Sequence, residues 1–260
     1  MKKKSVSIII CAYNEEKTLE AVVRQCHEHN PESEIIVVND GSDDKTHKIM
    51  EQLRNELPVK YIHLIENKGK SYAMVKGVEN ASNDIILFFD ADITGIKAKH
   101  FDQLLNPVLI DHPEADMVLG TPSNTFIDYR INPFKSLTGE RVMFKKDLLP
   151  ILDDIRDIRF GVETYINLYF QANGKKIKYL LLEGLTNPVK HSKMEAGKAT
   201  AELFKESKEV AITLLKNYNL LIKSIGNSFE ERSEKIKESF MTIYDDINKN
   251  LNDLMKNNDK

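Results

Sequence analysis

Residues 84–92 read D-I-I-L-F-F-D-A-D, an unbroken apolar run that stops on two acids flanking an alanine. A half-exposed strand alternates apolar and polar residues, whereas an unbroken run fits a strand covered on both faces. The same motif recurs upstream. Val6–Ala12 is an apolar run, followed by helical spacing through Leu19, Val22 and Val23 within Glu16–Asn30. Glu34–Asn39 (EIIVVN) is the next run, followed by Gly41-Ser42 and a helical stretch Lys45–Asn55. Lys60–Ile65 reads as a third strand and Tyr72–Ala81 as a third helix. Strand and helix in alternation predict an α/β fold, with a mostly parallel sheet flanked by helices. Such sheets bind ligands outside the carboxyl ends of their strands, where strand order reverses.

Downstream the periodicity is mixed. Met117–Leu119 and Lys176–Leu182 read as strands, Glu163–Gln171 as a helix, and Thr121–Arg141 as a loop near a site. After Ala196 the character changes. Leu203, Val210, Leu214, Leu221 and Ile225 recur at helical spacing; Gly226-Asn227 breaks the run, and Phe229, Ile236, Phe240, Ile243, Ile247 and Leu254 resume it. This predicts a C-terminal helical hairpin suited to packing or to a homodimer seam. The expected division is 1–195 as one domain (halves 1–95 and 96–195) and 196–260 as a helical extension.

The chain has 260 residues, with 37 basic and 40 acidic side chains and a formal net charge of -3. That balance argues against holding nucleic acid as a main task, which needs a basic surface. Cys11 and Cys26 are too few for a disulfide framework and lack histidines at zinc spacing. Lys2–Lys4 precede an apolar run too short for a signal peptide, and no run approaches the roughly 20 residues of a membrane span. A cytoplasmic protein is expected, with peripheral contact at the inner face of the membrane left open.

The acids carry the chemistry. Asp40 follows one buried run, and Asp90 and Asp92 follow another, so all three fall at one sheet edge. A lone acid there can cap a helix. Crowded carboxylates instead call for a cation, and Mg2+ or Mn2+ completed by phosphate oxygens suits them. Lys70, in N-K-G-K ahead of a helix, adds an anion site.

Four ordered segments, Ala12-Tyr13-Asn14-Glu15, Asn39 to Thr46, Asn67 to Lys70 and Asp90-Ala91-Asp92, resemble the nucleotide-sugar half of family 2 glycosyltransferases of GT-A (Rossmann-like) fold. The resemblance implies that Ala12, Tyr13, Glu15 and Asp40 hold the nucleotide, with Lys70 at the diphosphate. It implies that Asp92 ligates Mg2+ or Mn2+, that Asp90 lies beside the ribose or the metal, and that Ala91 also binds the nucleotide sugar. Leu137 to Arg141, Phe160 to Thr164 and Pro188 to His191 are similar to glucosyl-3-phosphoglycerate synthases and related enzymes. That likeness implies Glu163 near the reacting centre and His191 as a second metal ligand. Gly139, Glu140, Arg130 and Arg141 are acceptor-side candidates, the arginines for an anionic group.

The implied activity is sugar transfer from a nucleotide-diphospho-sugar, UDP-linked, to a phosphorylated small molecule or lipid phosphate. The Glu-Asp pair and Gln-x-x-Arg-Trp motif of many family members do not stand here, and the chain has no tryptophan. Inversion and retention therefore both stay open. A nucleotidyltransferase would need a Gly-rich loop after the first strand, where Ala12 to Glu15 stand instead. A catalytically inactive nucleotide-sugar-binding scaffold, working through its C-terminal helices, is the remaining alternative.

Overall fold

A computed structural model describes residues 5–111, 113–123, 138–158 and 161–186, with isolated positions 213, 216, 217, 219, 220 and 223. Arg130, His191 and most of the C-terminal hairpin lie outside the described residues. β1 (Val6–Ala12), α1 (Leu19–His29), β2 (Glu34–Asn39), α2 (Thr46–Glu56), β3 (Val59–His63), α3 (Lys70–Asn80) and β4 (Ile85–Asp90) alternate as expected. Then come α4 (Ala98–Leu109), β5 (Met117–Pro122), β6 (Glu140–Phe144), the short α5 (Lys145–Leu148) and α6 (Leu152–Ile155), α7 (Val162–Ala172) and β7 (Ile177–Leu182).

The strands form one sheet in the order β3-β2-β1-β4-β6-β5-β7. β1 pairs in parallel with β2 and β4, β2 with β3, and β5 with β7, while β6 runs antiparallel to both its neighbours. The chain leaves β1 toward β2 and β3, then returns to β4 on the other side of β1. The strand order therefore reverses between β1 and β4, which opens a crevice at their carboxyl ends. Since β6 is antiparallel and Phe88 pairs with Arg141, its start is brought to the same edge.

Two apolar layers explain the unbroken runs. Ile8, Ile10, Ile35, Val37, Leu87 and Phe89 face one layer with residues of α1 and α4. Ile9, Ile36, Val38, Ile86 and Phe88 face the other with α3, α6 and α7. Alternate side chains point to opposite faces, so every position must be apolar where both faces are covered.

Three features depart from the sequence reading. α3 begins at Lys70, two residues earlier than the apolar spacing indicated, because Gly69 at φ 97 turns the chain into the helix. α4 was hidden by Pro107 inside it and by buried His100 on its apolar face. β6 stands where a loop was expected, because its first two residues, Glu140 and Arg141, are charged yet buried.

The far edge of the sheet is tied by Glu34. Its carboxylate accepts from Ser7 Oγ at 2.5 Å, Ser82 N at 2.7 Å and Ser82 Oγ at 2.9 Å, and pairs with Lys60. Burial opposes its ionisation, but Lys60, Ser7 and Ser82 outweigh it and bring the pKa to about 2. The folded value lies below the unfolded one, so this stabilisation is full above about pH 4.5 and is lost as pH falls toward 2. Glu34→Gln is expected to lower stability at pH 7 by about 2 kcal/mol and to flatten the loss between pH 5 and 2, read by urea unfolding.

At the C-terminal side, Thr213 Oγ1 occupies the space that a side chain at Gly161 would need. Lys223 Nζ donates to Asn173 Oδ1 at 3.1 Å, and Leu220 packs on the second apolar layer. Thr213 thus lies at the start of α7 and Lys223 near its end.

Candidate active site

The crevice between β1 and β4 gathers charge from three elements. Lys70, the first residue of α3, places Nζ 3.0 Å from Asp90 Oδ1 and 2.9 Å from Glu163 Oε1. Asp90 ends β4, and Glu163 is the second residue of α7, where the helix N-terminus favours a negative charge. Burial works against the Lys70 ammonium, but Asp90 and Glu163 outweigh it and hold its pKa well above the ordinary lysine value. Burial also works against the Glu163 carboxylate, and Lys70 followed by Arg141 holds its pKa below the usual range. The Lys70 side chain keeps 40% exposure, so solvent screens these pairs and they place groups more than they stabilise the fold.

The start of β6 closes another side of the crevice. A Cβ at Gly139 would land on the Asp90 carboxylate, so glycine lets that carboxylate lie flat against the turn. Beneath it, Arg141 is fully buried; Nη2 donates to the Thr138 carbonyl at 2.5 Å and Nη1 to Asn167 Oδ1 at 3.4 Å. Glu140 is also buried, on the opposite face of the strand. Both were expected on the acceptor side; both are buried here, and Arg141 lines the floor of the crevice with Lys70, Asp90 and Glu163.

Thr138 Oγ1 lies 2.5 Å from the Gly120 carbonyl and 2.5 Å from Glu140 Oε2, yet it has one hydrogen to give. The arrangement is satisfied when Glu140 is protonated, donating to Thr138 while Thr138 donates to Gly120. Burial, and then the Asp90 charge, push the Glu140 pKa up to about 8, in keeping with a neutral acid.

After β1 and β2 two loops interlock. Asn14 N donates to Ser42 Oγ at 2.9 Å, Asp43 N to Asn14 Oδ1 at 2.9 Å, and Glu15 N to Thr46 Oγ1 at 2.9 Å. Ala12 is buried at the end of β1 and its carbonyl accepts from Asp40 N at 2.9 Å, while Tyr13 projects with 43% exposure. Asp40 is buried against the loop that leads into α3.

Ala91 is buried after β4 and Asp92 is half-buried. Two residues on, Thr94 and Thr186 form a bridge, Thr94 N to Thr186 O at 2.8 Å and Thr186 N to Thr94 O at 2.9 Å, with their hydroxyls 2.9 Å apart. His100 strengthens the clasp, with Nε2 3.0 Å from the Glu183 carbonyl and Nδ1 accepting from Lys97 N at 3.2 Å. Among the described residues, no three histidine, cysteine or acidic side chains stand together as a ready metal site. A hard divalent cation needs only one or two protein ligands when phosphate oxygens and water fill its shell. The Asp92 carboxylate fits such a group.

Sequence reasoning did not single out Cys11, Thr138, Asn167, Thr94 or His100. Cys11 lines the floor of the crevice beside Lys70 and Asp90, and burial pushes its thiol up to about 12. Thr94, His100 and Asn167 carry no spacing signal, since Thr186, Glu183 and Arg141, which they meet, lie 26 or more residues away.

A mostly parallel sheet with acids and a lysine at its switch point defines a Rossmann-like α/β protein of the GT-A kind. Glucosyl-3-phosphoglycerate synthase from Mycobacterium tuberculosis, solved with Mn2+, UDP and phosphoglyceric acid, has the same fold. The TM-score is 0.63 at 19% identity, covering 82% of this chain and 78% of that one. Glycosyl transferase family 2 matches residues 7–170, and the chain belongs to that family. It is 30% identical over 158 residues to a dolichol-phosphate mannosyltransferase of Pyrococcus furiosus, covering 58% of this chain and 43% of the relative. It is 35% identical over 94 residues to an undecaprenyl-phosphate 4-deoxy-4-formamido-L-arabinose transferase of Pseudomonas fluorescens, covering 34% and 28%. The matched region thus spans less than half the length of these curated relatives.

Proposed function

We propose that this protein transfers a sugar from a UDP-linked donor to an acceptor bearing a phosphate, on a small molecule or a lipid. The observation that carries the reading is the convergence of Lys70, Asp90 and Glu163 at the switch point. As the bond between sugar and diphosphate breaks, negative charge gathers on the leaving oxygen, and a preorganised ammonium stabilises it. Lys70 takes that part. Asp92 and His191 would hold Mg2+ or Mn2+, which when bound offsets further charge on the diphosphate. Glu163 stays ionised beside the sugar, where it supports developing positive charge or orients the acceptor hydroxyl. Its lowered pKa makes it a weak base, which favours the electrostatic part.

Ala12, Tyr13 and Glu15 line the nucleoside end, and Asp90 faces the ribose side. Residues 1–95 serve the donor and 96–195 the acceptor. The acceptor phosphate is supported by the similar proteins, one solved with phosphoglyceric acid and two named for dolichol phosphate and undecaprenyl phosphate.

Titration calorimetry with UDP-glucose and GDP-mannose, with and without Mn2+, tests the reading. The expected result is binding of the UDP donor, strengthened about tenfold or more by Mn2+, with that gain lost in Asp92→Ala. A folded protein that binds neither donor overturns the reading in favour of a scaffold. Where binding is found, 3-phosphoglycerate and polyprenyl phosphates open the acceptor screen.

A further inference from the structure

Among the described residues, Arg141 is the largest side chain that the fold buries completely, and it is a cation. It stands on β6 opposite Phe88 of β4, two residues short of Asp90. Its guanidinium reaches from that strand to α7, where Nη1 donates to Asn167 Oδ1 at 3.4 Å, and Nη2 turns back to the Thr138 carbonyl at 2.5 Å. Asn167 lies four residues beyond Glu163, one turn along the same face of α7. Arg141 thus grips the helix one turn from Glu163. The two also line one crevice floor, which they share with Lys70 from α3, Asp90 from β4 and Cys11 from β1.

Both hydrogen-bond partners are neutral, so the buried charge needs its counter-ion elsewhere. Burial works against the guanidinium, and Glu163, followed by Asp90, opposes that effect. Burial works against the Glu163 carboxylate as well, and Lys70 and then Arg141 answer it. Of these two cations, Lys70 is shared. It meets Asp90 at 3.0 Å as well as Glu163 at 2.9 Å, and a donor diphosphate would draw on it further. Arg141 is buried and bound on two sides, so its charge stays where it is. We propose that Arg141 is a positioning residue that acts through Glu163, holding α7 at Asn167 and giving the Glu163 carboxylate a fixed counter-charge while Lys70 serves the diphosphate. The proposal rests on the glycosyl-transfer reading above. A guanidinium suits this part because its planar fork reaches two acceptors at once and stays charged when buried.

The experiment observes Glu163 directly, by carboxyl-13C NMR of glutamate-labelled protein titrated with acid, the resonance being assigned by its loss in Glu163→Gln. Wild type, Arg141→Met, Arg141→Gln and Arg141→Lys are compared. The same preparations are assayed for affinity for UDP-glucose and for UDP release from it with Mn2+, with and without 3-phosphoglycerate. In the wild type the Glu163 midpoint is expected below 4.5. Arg141→Met removes a cation, so the midpoint is expected to rise by about one pH unit or more. UDP release is expected to fall by about 10²-fold, with donor affinity within about threefold. Arg141→Gln, which keeps an amide donor without the charge, is expected to repeat both changes, and it stands in if Arg141→Met does not fold. Arg141→Lys keeps the charge, so its midpoint is expected within about 0.5 of the wild type and its rate within about tenfold. A side chain that only filled the core would lose rate in all three variants alike and leave the midpoint where it was. An unmoved midpoint in Arg141→Met, or UDP release by it at the wild-type rate, overturns the proposal while leaving sugar transfer standing. A folded wild type that binds no UDP-glucose or releases no UDP overturns the reading above, and the midpoint then still decides whether Arg141 sets Glu163.

Discussion

Glu163→Gln is expected to slow sugar transfer by about 10²–10⁴-fold while leaving nucleotide affinity within about threefold. Glutamine keeps the shape of the side chain and removes its charge. Lys70 retains Asp90 as a partner at 3.0 Å, so the donor side of the crevice keeps its cation in place. What disappears is the negative group at the N-terminus of α7. Initial rates at saturating donor, with calorimetric affinity on the same preparation, separate the two effects. The wild type also makes a pH prediction. Lys70 and Arg141 lower the Glu163 pKa from its ordinary 4.5, against the opposing effect of burial. The ionised form therefore persists below that value, and activity that depends on it holds as pH falls to about 4.5 and declines only beneath. Turnover at the wild-type rate by Glu163→Gln would remove Glu163 from the reacting centre.

Gly139→Ala is expected to be nearly as damaging for a different reason. The added methyl group would lie on the Asp90 carboxylate, so either Asp90 swings aside or the start of β6 moves. Arg141 resists the second course, because its buried guanidinium holds the Thr138 carbonyl at 2.5 Å. Asp90 is therefore displaced, and with it the partner of Lys70. A misplacement of about 1 Å in such a site costs about 10²-fold in rate, and overpacking costs about 1–3 kcal/mol of stability. Transfer assays with a thermal melt check both. Full activity would mean that the Asp90 carboxylate has room to spare beside the turn.

Much of the fold was legible because the parallel strands announce themselves. EIIVVN and IILFF can only be buried on both faces, and the acids that end them had to meet at one edge. Asp90, Lys70 and Glu163 were named on those grounds and on family likeness, and the fold brings them within 3.0 Å of a common ammonium. β6 was not legible. Its Glu140 and Arg141 look like solvent-facing residues, and nothing local says that one rests neutral against Thr138 while the other braces Thr138 and Asn167. The reach of Asp40 was equally hidden, since its partners lie 28 and 29 residues away. Local pattern reports which face is apolar; it does not report which distant amide a buried carboxylate will find.

The reversed direction of β6 also bears on how such proteins diversify. Along parallel strands, the residues that reach the crevice come just after the strand. Along β6, which points the other way, they come just before it, as Thr138 and Gly139 do. On the glycosyl-transfer reading proposed above, evolutionary change in acceptor choice would gather ahead of this one strand, while the segments trailing β1, β2 and β4 would keep the donor. Descendants could retain one half of their chemistry and rewrite the other without disturbing the register of the sheet that joins them.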